Sequence, residues 1–187
     1  MKYVVMKAFW DYEKEEKWLN DMSAKGMMLT DISWCRYVFT DGHNSEYTYR
    51  IELLEHAPTH PESISYIKFM EQSGIECVAT YMRWAYFRRK SSDGEFDIYT
   101  DIDSKIKHFK RINLFWMTLM FLEFFAGILN IVVGIVNMNL DKNLGGFTGG
   151  NVILGSGLLI LGLAFWKLGS PIRKKLKRLE QEKKIME

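Results

Sequence analysis

A row of polar and small side chains stands inside a long apolar stretch, residues 112–138. Glu123 is the ionisable residue of that stretch, and small or amide residues follow it at spacings of four and three, so the row shares one helical face. A lone charged Glu in a membrane costs roughly 2–3 kcal/mol. Such a row marks a ligand, ion or proton-linked site, or a contact between helices. The candidate intramembrane association or ligand face comprises Glu123, Gly127, Asn130, Gly134 and Asn137.

Histidine and cysteine, the other residues that could bind a metal or attack a substrate, are few. His56 and His60 are four residues apart, but Pro58 between them argues against a helix that would bring them together. The sequence has no Cys-x-x-Cys, His-Glu-x-x-His or Gly-x-Ser-x-Gly motif. Cys35 and Cys77 fall in predicted strands, where a thiol packs as a small apolar group. We therefore expect no metal, no cofactor and no catalytic residue, and predict that the protein is not an enzyme.

Two apolar stretches predict helices that cross a membrane. The first is residues 112–138 and the second covers about 147–168. About 20 apolar residues span a bilayer as a helix, so both stretches are long enough. Buried helices of a soluble core are the alternative, but such helices keep a charged face and neither stretch has one. We predict a transmembrane hairpin over residues 105–168, in a cell-membrane protein with two spans.

Basic residues flank the two stretches on one side. Eleven Lys and Arg residues lie within residues 105–111 or 173–184, next to the two stretches, whereas residues 139–150 between the stretches contain one. Because basic flanks stay in the cytoplasm, both termini are predicted to be cytoplasmic and residues 139–150 to lie outside. Residues 169–187 are predicted to form a basic amphipathic helix on the anionic membrane surface, with a short coiled-coil contact as the alternative. The predicted surface residues are Lys105, Lys107, Lys110, Arg111, Arg173, Lys174, Lys175, Lys177 and Arg178.

The charge of the chain changes sign along its length. Residues 1–104 have a net charge of −6 and residues 105–187 a net charge of +8. This asymmetry indicates two regions in different surroundings. An acidic domain without an RNA-binding signature disfavours a phosphate ligand, so nucleic acid is not expected as a partner.

Residues 1–104 show the pattern of a cytoplasmic α+β domain. Alternating apolar residues predict strands, and Asp11 and Gly26 are placed to begin and end the first helix. A Thr-x-x-Glu capping box at Thr59 predicts the start of the second helix. The resulting order, β-α-β-β-α-β with an extra hairpin strand, matches a ferredoxin-like fold, and the sequence shows no internal repeat. The predicted strands cover residues 2–9, 27–40, 47–53, 75–90 and 95–99.

The first fifty residues also carry a motif. It includes Phe9-Trp10 and Glu15-Glu16, and its signature and core residues are Trp18, Leu19, Asn20, Met22, Gly26, Tyr49 and Arg50. With this motif the chain resembles the bacterial family called domain of unknown function 2812. The resemblance implies a small cytoplasmic domain followed by membrane helices, in proteins often encoded beside PadR-type transcriptional regulators and linked to an envelope response. It implies no catalytic residue, because the family has no established activity.

The sequence therefore predicts a non-enzymatic, membrane-anchored sensing or interaction module. Its expected partners are membrane lipids and either further copies of the chain or a larger membrane protein. The alternative is an accessory subunit of an envelope transporter or resistance system. Self-association favours the first interpretation, and a large co-purifying protein favours the second.

Overall fold

The computed structural model describes residues 1–99, 101–140 and 145–186. It divides into two compact units, Met1–Asp101 and Ile102–Glu187. The first unit is an α+β domain, as the sequence predicts. Its elements are β1 (Lys2–Met6), α1 (Tyr12–Ala24), β2 (Met27–Ser33), β3 (Arg36–Asp41), β4 (Tyr47–Leu53), α2 (Pro61–Gln72), β5 (Glu76–Tyr81) and β6 (Trp84–Lys90).

The six strands form two three-stranded antiparallel sheets, ordered β1-β3-β2 and β4-β6-β5. The ferredoxin-like topology is not confirmed, because the predicted strands 27–40 and 75–90 are each a hairpin and residues 95–99 are not a strand. The hairpins turn at Trp34 (φ 31°) and Met82 (φ 53°). Glycine and asparagine are the usual residues in such left-handed turns, so these two turns carry no recognisable sequence signal.

The first unit contains an internal structural repeat. Residues 2–41 and 47–90 each form a strand, a helix and a hairpin, with the last strand in the middle of the sheet. Landmarks recur after 48 residues: the left-handed glycine after the helix (Gly26, Gly74), the left-handed turn residue (Trp34, Met82) and the register shift (after Leu29, after Cys77). The sequence shows no internal repeat, but the structure contains one. The equivalent side chains differ even in the core, where Tyr37 corresponds to Ala85, so the repeat is hidden in the sequence.

Two apolar clusters hold the first unit together. Leu19 of α1 is fully buried in the larger cluster, which joins α1 to strands of both sheets. The smaller cluster lies under α2 and includes Met70 and Phe87, together with Phe96 from the segment after β6. Trp18 and Met22 pack against the larger cluster, as the helical spacing predicts. The buried members of that cluster are Leu19, Leu29, Ile32, Tyr37, Phe39, Tyr49, Ile51 and Tyr86.

The helix caps explain where the two helices of this unit begin. The side chain of Asp11 accepts a hydrogen bond from the Glu13 N–H at 3.0 Å, so the predicted start of α1 is confirmed. The predicted cap of α2 is wrong by one residue. His60, not Thr59, is the N-cap, and its Nδ1 accepts from the Glu62 N–H at 3.3 Å. Pro61 then occupies the first helical position, where its missing N–H costs nothing.

The second unit consists of three helices, α3 (Ile102–Leu140), α4 (Gly145–Leu168) and α5 (Ser170–Met186). The segments Ile102–Asn139 and Gly149–Met186 contain two helices that are long and apolar enough to cross a membrane. Residues 145–150, which belong to the segment 139–150 predicted to lie outside, are the start of α4. Residues 141–144 of the predicted outer loop lie outside the described part of the chain.

Helices α3 and α4 come into close contact at two glycines. A Cβ atom built on Gly155 would lie 2.6 Å from the Gly127 carbonyl oxygen, and one on Gly127 would lie 2.9 Å from the Gly155 carbonyl oxygen. Real Cβ atoms essentially never come closer than 3.0 Å to another heavy atom, so only glycine fits both positions without a shift. This contact fixes the crossing point of the hairpin.

Candidate functional site

The predicted intramembrane face of α3 is the face that packs in the hairpin. Gly127 and Gly134 are buried, and Glu123, Asn130 and Asn137 are half-buried. The neighbouring residues Leu122, Phe125, Ile128 and Leu129 are exposed. The five candidate residues therefore occupy the inward side of α3, at the spacing that the sequence showed.

Gly155 and Gly162 of α4 lie against this face of α3, and the contact between the two helices is here called the glycine seam. A Cβ atom on Gly162 would lie 3.5 Å from the Cβ atom of Glu123, and Gly155 meets Gly127. The Asn130 amide donates to the Ala126 carbonyl of its own helix at 2.8 Å. The amide is thus satisfied locally, and the close contact between helices is made by glycine. A contact with a ligand or with a second copy stays a prediction.

Helix α5 packs along α3, and ion pairs join the two. Lys110 pairs with Glu180 at 3.1 Å, and Lys183 pairs with Asp103 at 2.8 Å. Ile172 is buried, as expected for the apolar side of an amphipathic helix. This packing matches the coiled-coil alternative for the tail. Because the basic residues here also make protein contacts, their predicted contact with anionic lipid stays a prediction.

In the first unit, helix α1 closes the outer edge of strand β4. The Asn20 Oδ1 accepts from the Tyr49 N–H at 2.8 Å, and the Asn20 Nδ2 donates to the Tyr49 carbonyl at 3.1 Å. The Glu16 carboxylate accepts from the Ile51 N–H at 2.9 Å, and the Ser23 hydroxyl donates to the Tyr47 carbonyl at 2.6 Å. Three side chains, one turn apart, thus replace a neighbouring strand. An edge strand protected in this way cannot pair with another chain.

The signature residues have structural roles in this arrangement. The Trp18 ring contacts the rings of Phe9, Tyr37 and Phe39 at centroid distances of 5.2, 4.9 and 5.7 Å. The Arg50 guanidinium pairs with Glu16 at 3.3 Å. Gly26 has φ 76°, and a Cβ atom there would lie 2.7 Å from the Asn44 side chain. These contacts give each of these residues a role in the fold.

Asn20→Ala is expected to lower the free energy of unfolding of the first unit by about 1–3 kcal/mol. The substitution leaves the Tyr49 N–H without its side-chain partner, whereas the Tyr49 carbonyl still accepts from the Arg50 guanidinium at 3.1 Å. An unsatisfied buried polar group has this cost. Urea denaturation of a fragment of residues 1–101 measures the change. Asp21→Ala, at the next, exposed position, is the control and should change stability by less than about 0.5 kcal/mol. Equal effects of both would show that Asn20 does not seal β4.

A buried carboxyl group links the two sheets. Glu15 of α1 is 8% exposed, and its Oε1 accepts hydrogen bonds from the Tyr37 hydroxyl at 2.7 Å and the Tyr86 hydroxyl at 2.8 Å. Burial raises the pKa of Glu15, and the two hydrogen bonds oppose that rise. Tyr37 belongs to β3 and Tyr86 to β6. Sequence reasoning missed this role, although Glu15 stands four residues before Leu19, on the buried face of α1.

The raised pKa of Glu15 predicts a pH dependence of stability. In the folded state Glu15 keeps its proton at pH values above 4.5, the ordinary pKa at which the unfolded chain releases it. Stability from this group is therefore present at lower pH and is lost as the pH rises from about 4.5 through the folded-state pKa. Glu15→Gln removes this proton exchange. Urea denaturation of residues 1–101 between pH 5 and pH 8 should show a smaller loss of stability for the variant than for the wild type. Parallel curves would contradict the prediction.

The structure also brings together two histidines and a glutamate. The His56 and His60 rings stack at 4.2 Å, and the His56 Nε2 lies 3.2 Å from a Glu62 carboxylate oxygen. The sequence argument against this pair holds for a single helix, but His56 precedes α2 and His60 caps it. A turn, rather than a helix, makes the contact.

The two cysteines are free and occupy different surroundings. Cys35 lies in the β2–β3 turn, so its predicted place within a strand is wrong. Cys77 lies in β5 as predicted, and burial raises the pKa of its thiol to about 11. A thiol with a raised pKa stays protonated at neutral pH and is a poor nucleophile.

Comparison with known proteins identifies one family. A family profile described as "Protein of unknown function (DUF2812)" matches residues 11–121, from the N-cap of α1 into α3. No curated protein and no solved structure gives a significant match.

Proposed function

The chain belongs to the DUF2812 family of proteins of unknown function, and on that premise we propose that it is a non-enzymatic, membrane-anchored interaction module. In this proposal the helical hairpin is the anchor and the α+β domain is displayed in the cytoplasm. The observation that carries the proposal is the apolar surface of the hairpin.

Large apolar side chains point outward along both long helices. Phe125 is 66% exposed, Ile153 is 75% exposed and Ile160 is 68% exposed. Other large apolar side chains of α3 and α4 are exposed as well. Burying apolar area is worth about 25 cal/mol per Å², so a surface of this kind is unstable in water. The lipid tails of a bilayer would cover this apolar surface, and in that setting neither helix needs a polar face. This match supports insertion of the hairpin as two membrane spans.

The basic ends of the hairpin support the proposed orientation. The first turns of α3 and most of α5 carry the eleven basic residues that flank the spans. Such flanks favour the cytoplasmic side, which would place the acidic α+β domain there too.

The polar groups of the domain core support a non-enzymatic role. Glu15, Glu16 and Asn20 carry the hydrogen bonds that hold α1 on the sheets. These groups are engaged in hydrogen bonds that stabilise the fold. The link of such proteins to a bacterial envelope response, which the family resemblance implied, remains part of the proposal.

An accessory subunit of an envelope transporter or resistance system is the second candidate. It is favoured by the apolar outer sides of α3 and α4, which could dock on a larger membrane protein as well as on lipid. In that case the glycine seam holds the hairpin together, and the outward side chains recognise the partner.

Crosslinking in intact cells, followed by extraction in mild detergent, tests the proposal and separates the candidates. The expected result is a chain that fractionates with membranes and forms a discrete crosslinked species. A species made of this chain alone supports the module, and one that contains a large membrane protein supports the accessory subunit. A chain that stays in the soluble fraction would overturn both.

A further inference from the structure

We propose that His56, His60 and Glu62, here called the His56 cluster, bind a divalent transition-metal ion of the Zn²⁺ type. Each of the three residues offers one ligand atom, and these atoms all lie within 4.8 Å of one another. The His56 Nε2 and a Glu62 carboxylate oxygen are 3.2 Å apart. Two ligands of a tetrahedral zinc ion stand about 3.4 Å apart when each bond is about 2.1 Å long. The ligand atoms are therefore near the spacing of a metal site, and rotation of the stacked imidazole rings is needed to direct their nitrogens at one ion.

The backbone around the His56 cluster is held by hydrogen bonds. The Ser63 hydroxyl donates to the His56 carbonyl at 3.2 Å, which ties the turn to the first residues of α2. The Arg83 guanidinium donates to the carbonyls of Leu54 and Glu55 at 2.6 Å. Pro61 restricts the backbone directly after His60. The three ligand residues are thus presented by a supported turn, and ion binding requires rotation of side chains rather than folding of a loop.

The donor set selects the class of metal. Two imidazoles and one carboxylate suit zinc, cobalt, nickel and copper, whereas magnesium and calcium prefer oxygen ligands. His60 and Glu62 are exposed, so water can complete the coordination. The His60 Nδ1 accepts the 3.3 Å cap bond from the Glu62 N–H, so binding through Nε2 keeps this bond and binding through Nδ1 replaces it. The positive end of the α2 dipole opposes a cation, and the Glu62 carboxylate offsets that field.

The site is independent of the proposed function, because an anchored module can bind a metal or lack one. It also differs from the intramembrane face, since it belongs to the α+β domain. A bound ion would join the turn before α2 to the first turn of that helix. The metal would then stabilise the start of α2 without taking part in a reaction.

Titration of the untagged full chain in mild detergent tests the site. After treatment with a chelator, the chain is titrated with Co²⁺, and Zn²⁺ is then added in competition. The expected result is one Co²⁺ per chain, visible-light absorption of a four-coordinate cobalt site, and displacement by Zn²⁺. Mg²⁺ should not compete.

Three variants identify the ligands. His56→Ala, Glu62→Gln and His60→Asn should each weaken Co²⁺ binding at least tenfold. Asparagine is a strong N-cap, so His60→Asn removes the imidazole while it preserves the start of α2. His43→Ala, in the turn before β4, is the control and should bind as the wild type does. Unchanged circular dichroism of His60→Asn would show that the loss is a loss of ligand.

Three results would overturn the site. The first is the absence of stoichiometric Co²⁺ binding to the wild type. The second is wild-type affinity in both His56→Ala and His60→Asn. The third is a strong near-ultraviolet thiolate-to-cobalt band, which would place the ion on Cys35 or Cys77 instead.

Discussion

Leu19→Ala is expected to lower the free energy of unfolding of residues 1–101 by about 2–5 kcal/mol. Leu19 is fully buried where α1 meets strands from both sheets. Truncation removes apolar contacts and leaves a cavity that rigid strands cannot fill. The residues that line this position come from both halves of the internal repeat, so the loss should weaken the whole unit at once.

Urea denaturation of the 1–101 fragment is the measurement for Leu19→Ala. The fragment itself is expected to be folded and soluble, because its two clusters are formed within the first unit. Lys17→Ala, an exposed position on the same helix, is the control and should change stability by less than about 0.5 kcal/mol. A loss below about 1 kcal/mol for Leu19→Ala would mean that α1 is not packed on the sheets as described.

Gly155→Leu is expected to disrupt the packing of α3 on α4. The first side-chain atom alone would lie 2.6 Å from the Gly127 carbonyl oxygen, and the Ile131 side chain is 2.7 Å away. Overpacking in a well-packed site typically costs about 1–3 kcal/mol, and a clash with backbone leaves less freedom to relax. The helices must therefore separate or rotate.

Gly157→Leu is the matched control, because a Cβ atom on Gly157 meets nothing within 4 Å. The readout is the yield of crosslinking by a short bifunctional thiol reagent between cysteines at Trp116 and Phe165, whose rings contact each other across the two helices with centroids 6.0 Å apart, in a Cys35→Ser, Cys77→Ser background. Gly155→Leu should reduce that yield several-fold, and Gly157→Leu should leave it unchanged. Equal yields in all three chains would contradict the seam.

Local patterns in the sequence predict much of the fold. Asp11 and Gly26 mark the ends of α1, and alternation marks β4 over Tyr47–Leu53. The spacing from Glu123 to Asn137 identifies the inward face of α3, because helical periodicity alone decides which residues share a face. In each case the information lies within a few turns of chain.

The features that the sequence did not predict have a common physical cause. The turns at Trp34 and Met82 adopt a left-handed conformation without glycine or asparagine, so surrounding strands, rather than the turn residues, determine them. The internal repeat is conserved in geometry while its core side chains differ. The three-residue contact at His56 follows a backbone segment whose carbonyls, at Leu54 and Glu55, accept hydrogen bonds from Arg83, a residue distant in the sequence. Contacts between residues distant in the sequence produce no short, regular spacing from which they could be predicted.

The structure explains the residue types of the signature motif. A Glu-Glu-x-Trp-Leu-Asn pattern is difficult to interpret alone, because charged, amide and aromatic residues also build binding sites. Glu16 and Asn20 instead bind the backbone of β4, and Leu19 fills the core between them. The pattern therefore identifies the family through its folding, and the function must be sought elsewhere on the molecule.

The most direct test of the membrane account is labelling of a single cysteine in intact cells. Asn139→Cys, near the exposed end of α3, is placed in a Cys35→Ser, Cys77→Ser background and treated with a membrane-impermeant maleimide. Lys184→Cys, near the end of α5, is the matched control. Position 139 is expected to be labelled in intact cells, and position 184 only after permeabilisation. Labelling of position 139 only after permeabilisation, or of both positions in intact cells, would contradict this expectation.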